Sequence, residues 1–226
     1  MIYVSVDTET TGLDEKQHQL IEFGAIIEDS NNPKPLEELQ SFRRIVLNRE
    51  DKYIFSSYAC SLNKKLMDTI AIITKHLSDP RGYKEINKLF HATKTFNDSW
   101  CFEDELGYDF KQFLARNGMH DQIVIAGKNP GFDKRFLGVL PKFLQGKGGT
   151  VKLHHRHLDP ALSFIDWEKD VSPPSTELCK TRAALPNVVA HEAIQDAWDI
   201  ILLIRSHIRK EQRYETMNNG SHLLSC

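Results

Sequence analysis

The chain has 226 residues, 40% of them hydrophobic and 27% charged, with a formal net charge of −2. That length supports one well-buried core, and the charge excludes a global positive field of the kind that coats long nucleic acid, though not an enzyme gripping a few terminal nucleotides. Four cysteines at 60, 101, 179 and 226 form no CxxC pair, and no basic leader or membrane-length apolar run is seen, so the expectation is a cytoplasmic protein with free thiols and no membrane partner.

Residues 2–7 predict a central strand, 20–29 (LIEFGAIIED) a second and 39–47 a third. The short connections between them predict an antiparallel meander. Apolar residues at helical spacing from Leu62 to Leu77 predict a helix closed by Asp79-Pro80. Residues 81–101 read as short helix and loop. A helix is expected over 103–117, ended by Asn117-Gly118, then a short buried strand at 122–127 and a helix from about Pro130. Residues 151–158 (VKLHHRHL) predict a fifth strand, Asp159-Pro160 a helix start, 175–184 a helix and 191–209 a long final helix. The domain expected is 1–209, with an insertion at about 78–101 and a polar, frayed tail at 210–226. The class is α/β: a five-stranded mixed sheet flanked by helices. In such sheets, function gathers at the carboxyl ends of central strands.

Four acids and one histidine then stand out. Asp7 and Glu9, in VDTETTGL, point to one side of the first strand at its end, where two anions repel unless a cation lies between them. Taken alone they suit a polar turn. Asp133 suits the first turn of a helix leaving the fourth strand. Asp196 flanks the stripe of Ala193, Ala197, Ile200, Ile201 and Ile204, and an acid beside a buried stripe needs a partner. His191 and Asp196 are five residues apart, about 140° of helix, so they share a site only if His191 sits on the preceding loop or first turn. Taken together, the four carboxylates are hard oxygen ligands suited to Mg²⁺ or Mn²⁺. Two such ions can drive phosphodiester hydrolysis, with histidine the natural proton acceptor near neutral pH.

These residues resemble the motifs of the DEDDh-type 3′→5′ exonucleases, a DnaQ-like family of ribonuclease H-like fold. VDTETTGL with LIEFGAI resembles the first motif. NPGFDKRFL resembles the second, and HEAIQDA, with its five-residue His-to-Asp step, the third. The resemblance spans residues 1 to about 209 with order and spacing intact. It implies that Asp7 bridges two Mg²⁺ or Mn²⁺ ions, that Glu9 and Asp196 complete one, and that Asp133 holds the other largely through water. It further implies His191 as general base and release of nucleoside 5′-monophosphates from single-stranded DNA or RNA 3′ ends. Glu9 and the backbone of Thr10 would grip the terminal 3′-hydroxyl, and Leu13 and Phe132 would stack on terminal bases, unless they are core residues. Asn129 either orients substrate or caps the following helix.

The chain departs from the family at YACSLNKKL (residues 58–66), where many relatives carry an HGI segment, so Leu62 and Asn63 either take over that job or have none. Trp100, Phe96 and Phe102 either pack over the substrate groove or, the expected reading, close a satellite core. The HHRH run at 154–157 is expected to be split by strand alternation into a solvated, mildly basic face rather than a metal site. Proofreading would need a polymerase or other protein partner. An RNA-specific, oligoribonuclease-like enzyme and a catalytically silent nucleic-acid-binding module are the alternatives.

Overall fold

The computed structural model describes residues 1–78, 100–145, 149–187 and 190–212, and the backbone of 213–221. Strand β1 (Ile2–Thr10) is paired antiparallel with β2 (Leu20–Asp29), and β2 with β3 (Ser41–Leu47). The expected meander is therefore present. Two short strands extend it in parallel: β4 (Trp100–Phe102) beside β3 and β5 (Ile125–Ala126) beside β1, giving the order β4-β3-β2-β1-β5.

The helices are α1 (Ser57–Leu62), α2 (Lys64–Leu77), α3 (Leu106–Arg116), α4 (Pro130–Val139), α5 (Thr176–Arg182) and α6 (Ala193–Ser221). A 3-10 turn, Pro160–Phe164, is capped by Asp159, which accepts from the Ala161 amide. Alternation along β1 divides the interior. Val4 and Val6 face one core with Phe23, Phe42, Phe110 of α3 and Phe136 of α4. Tyr3 faces a second core with Ala197, Ile200 and Ile201 of α6. A third cluster packs Ile70 and Ile73 of α2 on Ile21, Ile45 and Leu47 beside Trp100 and Phe102. Trp100 and Phe102 thus close a satellite core, as expected, while Phe96 lies outside the described residues.

Three sequence expectations need correction. The fifth strand is not 151–158, which touches its neighbours only through isolated bridges such as Ile123–Leu153 and Ala126–Leu158. The His154 ring accepts from the Arg156 amide at 3.0 Å, a local side-chain bond that bends the chain out of a ladder. The fifth strand is instead β4, at the end of the stretch read as helix and loop; the rest of that stretch, 81–99, is outside the described residues. Finally, α6 continues to Ser221 rather than ending near 209. No helix among the described residues is long and apolar enough to cross a membrane.

Candidate active site

Because β1 and β5 run parallel, their carboxyl ends open at the same edge of the sheet. Asp7 and Glu9 lie on the face of β1 that carries Tyr3 and Ser5, and α6 covers that face. The Ser5 hydroxyl donates to the Ala197 carbonyl at 2.7 Å, pinning α6 across the strand. Opposite Asp7 on β2 stands Gly24, and opposite Glu9 stands Glu22. A Cβ on Gly24 would come within 2.5 Å of the Ala193 carbonyl carbon, so only glycine lets the start of α6 sit flush on the sheet. The Ala193 amide donates to Glu22 Oε2 at 3.0 Å, and Glu22 Oε1 accepts from Arg43 Nε at 2.7 Å. Asp196 therefore enters from the first turn of α6 above Asp7 and Glu9.

Asp133 arrives from the other layer. Gly127 follows β5, and a Cβ there would lie 3.1 Å from the Val6 carbonyl and 3.6 Å from Asp133 Oδ2. Asn129 takes a left-handed conformation, φ 51°, to turn the chain into α4. Its amide donates to Asp159 Oδ2, and its side chain makes no capping bond. Thr8 faces away from Asp7, and its hydroxyl donates to Asp133 Oδ1 at 2.7 Å, aiming that carboxylate at the strand end.

His191 precedes α6 rather than belonging to it, also left-handed at φ 50° and exposed. That placement meets the geometric demand of the five-residue step to Asp196. One ligand atom each from Glu9, His191 and Asp196 lie within 4.8 Å of one another. Beside them a cavity of about 420 Å³ opens between α2 and the start of α6. Glu22, Arg43 and Ile45 form its floor, and Leu62, Asn63 and His191 stand among its walls.

Electrostatics mark this cluster as anion-rich. Burial and then Asp133, Asp196 and Glu9 hold the Asp7 carboxyl well above its usual range. Burial, reinforced by Asp196 and Glu22, pushes Glu9 up to about 7. Asp133 reaches about 7 through burial, against the lowering effect of its Thr8 hydrogen bond. Asp196 reaches about 6, through burial and then Asp199. One oxygen of Asp196, Oδ1, is buried with no hydrogen-bond partner among the described residues. Buried, mutually repelling carboxylates with an unpartnered oxygen are the donor set a hard divalent cation requires. The residues fit Mg²⁺ or Mn²⁺.

The remaining expected residues divide. Thr10 is buried, and its carbonyl accepts from Asn63 Nδ2 at 3.2 Å. Asn63 also hydrogen-bonds Glu9, so the segment that departs from the family still reaches the site. Leu13 is 79% exposed, which removes the core reading for it. Phe132 is half-buried, with its ring 4.9 Å from that of Phe136 and under the Arg135 guanidinium. The His154 and His155 rings lie 4.3 Å apart, tilted by 30°, and neither belongs to a metal-capable group among the described residues.

Glu22, Gly24 and Lys180 were not anticipated. A lone acid in the otherwise apolar LIEFGAII run was the available signal for Glu22, since a buried carboxylate requires partners. Lys180 of α5 bonds Asp199 Oδ2 at 2.5 Å with both side chains almost wholly buried.

By sequence, no protein-family model and no curated protein matches the chain. Solved structures do match. Cell-death related nuclease 4 is 14% identical, over 92% of this chain and 64% of its own, with a TM-score of 0.58. Exonuclease I of Methylocaldum szegediense is 15% identical, over 94% of this chain and 41% of its own, with a TM-score of 0.53. E. coli exonuclease I, solved with a dA16 oligonucleotide, is 13% identical over 94% of this chain and 42% of its own, with a TM-score of 0.56. The chain spans less than two thirds of each of these proteins. At these identities the likeness shows the fold: a mixed five-stranded sheet flanked by helices, of the ribonuclease H-like type.

Proposed function

We propose that the chain is a metal-dependent 3′→5′ exonuclease that hydrolyses the terminal phosphodiester of single-stranded nucleic acid. The observation that carries this reading is the convergence of Asp7, Glu9, Asp133 and Asp196 beside His191 at one strand end, with the carboxyls held above their usual range. The same order of residues along the chain, on the fold of the nucleases named above, supports it. The catalytic unit is taken as 1–209, with an insertion at about 78–101 that ends in β4, and with 210–226, which begins inside α6, as a tail.

Asp7, Glu9, Asp133 and Asp196 would hold the Mg²⁺ or Mn²⁺, two ions by the family's pattern. When bound, such ions neutralise the carboxylates, acidify water and stabilise charge on phosphate oxygens. The chain's own residues supply the rest. His191, exposed on its left-handed turn, accepts a proton from the attacking water. The new oxygen–phosphorus bond forms as the bond to the penultimate 3′-oxygen breaks, and that oxygen leaves with a proton from solvent. A nucleoside 5′-monophosphate is released. Glu9 and the backbone of Thr10 hold the terminal 3′-hydroxyl, and Leu13 and Phe132 contact the last bases. Asn129, whose side chain is free of the helix cap, faces substrate in this reading.

Release of mononucleotides from labelled DNA and RNA oligomers, with and without Mg²⁺ or Mn²⁺, tests the proposal. Asp196→Ala and His191→Ala are each expected to lower kcat by about 100-fold or more. Wild-type protein that releases no mononucleotide with either metal and either nucleic acid would favour the silent binding module.

A further inference from the structure

The last helix carries the two most separable parts of the proposed site: Asp196 in its first turn and His191 just before it. The Asp196 carboxylate accepts from the Ala190 backbone in the preceding loop. The helix start itself is tied to the sheet by Glu22 of β2, a carboxylate on a different element and outside the acidic set. Its side chain is 2% exposed, and its two oxygens are divided between two donors. Oε2 accepts from the Ala193 amide at 3.0 Å, and Oε1 accepts from Arg43 at 2.7 Å from Nε and 2.5 Å from the terminal nitrogen. Ala193 is two residues after His191 and three before Asp196. Two strand positions away, Gly24 provides the bare backbone on which Ala193 rests. Glu22 also faces Glu9 directly across the β1–β2 pair.

We propose that Glu22, fixed by Arg43, is a positioning residue for the reaction: it sets the height and register of His191 and Asp196 over Asp7 and Glu9. This rests on the hydrolase reading above. The chemistry explains the choice of a carboxylate. Both Glu22 contacts are to donors, so both oxygens must accept. Glutamine has one acceptor and one donor, and whichever way its amide turns, an N–H group confronts either Ala193 N–H or the Arg43 guanidinium. The carboxylate also places negative charge at the positive end of α6. Arg43 in turn prevents Glu22 from standing uncompensated opposite Glu9, where two buried anions would otherwise repel.

The test compares wild type, Glu22→Gln, Glu22→Ala and Glu22→Gln with Arg43→Met, measured for single-turnover rate, KM and Mn²⁺ affinity by calorimetry. Glu22→Gln is nearly isosteric and is the variant expected to fold. It should lower kcat by about 10- to 100-fold, as small misplacements of reacting groups do, with KM changed by less than about threefold. Mn²⁺ affinity should fall by about 10-fold, because Asp196 moves off its partners. Adding Arg43→Met removes the competing donor, frees the glutamine oxygen for Ala193 and should restore most of the loss. In a His191→Ala background, Glu22→Gln should cost clearly less kcat than in wild type, since part of its effect acts through that residue. Wild-type kcat and Mn²⁺ affinity in Glu22→Gln, or a loss that simply multiplies with that of His191→Ala, overturns the inference. Inactive wild-type protein instead overturns the hydrolase reading, and the calorimetry still reports on Glu22.

Discussion

The ammonium of Lys180 lies 2.5 Å from Asp199 Oδ2, with 4% and 2% of the two side chains exposed, one helical turn beyond Asp196. The pair joins α5 to α6 inside the core that also holds Ala197, Ile200 and Cys179. Asp199 raises the proton affinity of Asp196 and Lys180 lowers it, so the pair tunes the site as well as bracing it.

Removing one member of a buried pair leaves the other charge uncompensated. Lys180→Met is therefore expected to destabilise the fold by about 3–5 kcal/mol in urea denaturation, whereas Lys180→Met with Asp199→Leu should recover most of that loss. Equal destabilisation in the single and the double variant would show that packing, not charge, dominates there.

Thr8 of β1 and Asp133 of α4 make a second bond between elements. Thr8→Val keeps the shape of the side chain but removes the 2.7 Å hydrogen bond that aims Asp133. The carboxyl would rise further in proton affinity, since that bond is the largest of the effects that lower it. Mn²⁺ binding, followed by calorimetry at pH 7, is expected to weaken by about 10-fold. An unchanged affinity would place Asp133 outside the cation site.

Much of this site was legible because its chemistry is local. Strand alternation puts Asp7 and Glu9 on one side whatever the rest of the chain does, and the five-residue step forces His191 off the helix that carries Asp196. The final helix, α3 and the start of α4 were legible from apolar spacing, proline and asparagine-glycine. What the sequence did not reveal depends on contacts between distant segments. Glu22 and Ala193 are 171 residues apart, and nothing near Glu22 announces a helix start above it. Lys180 reads as an ordinary surface lysine until α5 folds against α6. The run at 151–158 has the alternation of a strand, but a bond from the Arg156 amide to the His154 ring takes the place of a ladder bond.

Leu13 and Phe132 separate by burial. Leu13 is 79% exposed, so Leu13→Ala should leave stability within about 0.5 kcal/mol of wild type. If it contacts the terminal base, KM for a short oligomer should rise about fivefold or more. Phe132→Ala removes a ring packed on Phe136 and should lower stability together with binding. Equal KM in wild type and Leu13→Ala would remove Leu13 from the substrate path.

The acidic cluster also dictates how metal and pH act on stability. In the folded chain Glu9 and Asp133 titrate at about 7 and Asp196 at about 6. Unfolded carboxyls titrate near about 4. Each folded value is raised, so between these limits the folded state holds protons that the unfolded chain has lost. The resulting stabilisation is complete below about pH 4 and disappears as pH rises through 6 and 7. With chelator present, Tm should therefore fall as pH is raised from 5.5 to about 8, in the window set by those shifts. A divalent cation binds the deprotonated carboxylates, so protons compete with it. Saturating Mg²⁺ or Mn²⁺ should add little to Tm near pH 5.5 and several degrees near about pH 8. Asp7→Asn, which removes the carboxylate most crowded by the others, should raise Tm in chelator and shrink the gain from metal. Thermal scans across pH with and without metal decide it: a metal-induced gain that does not grow with pH would mean that these carboxylates do not share a cation.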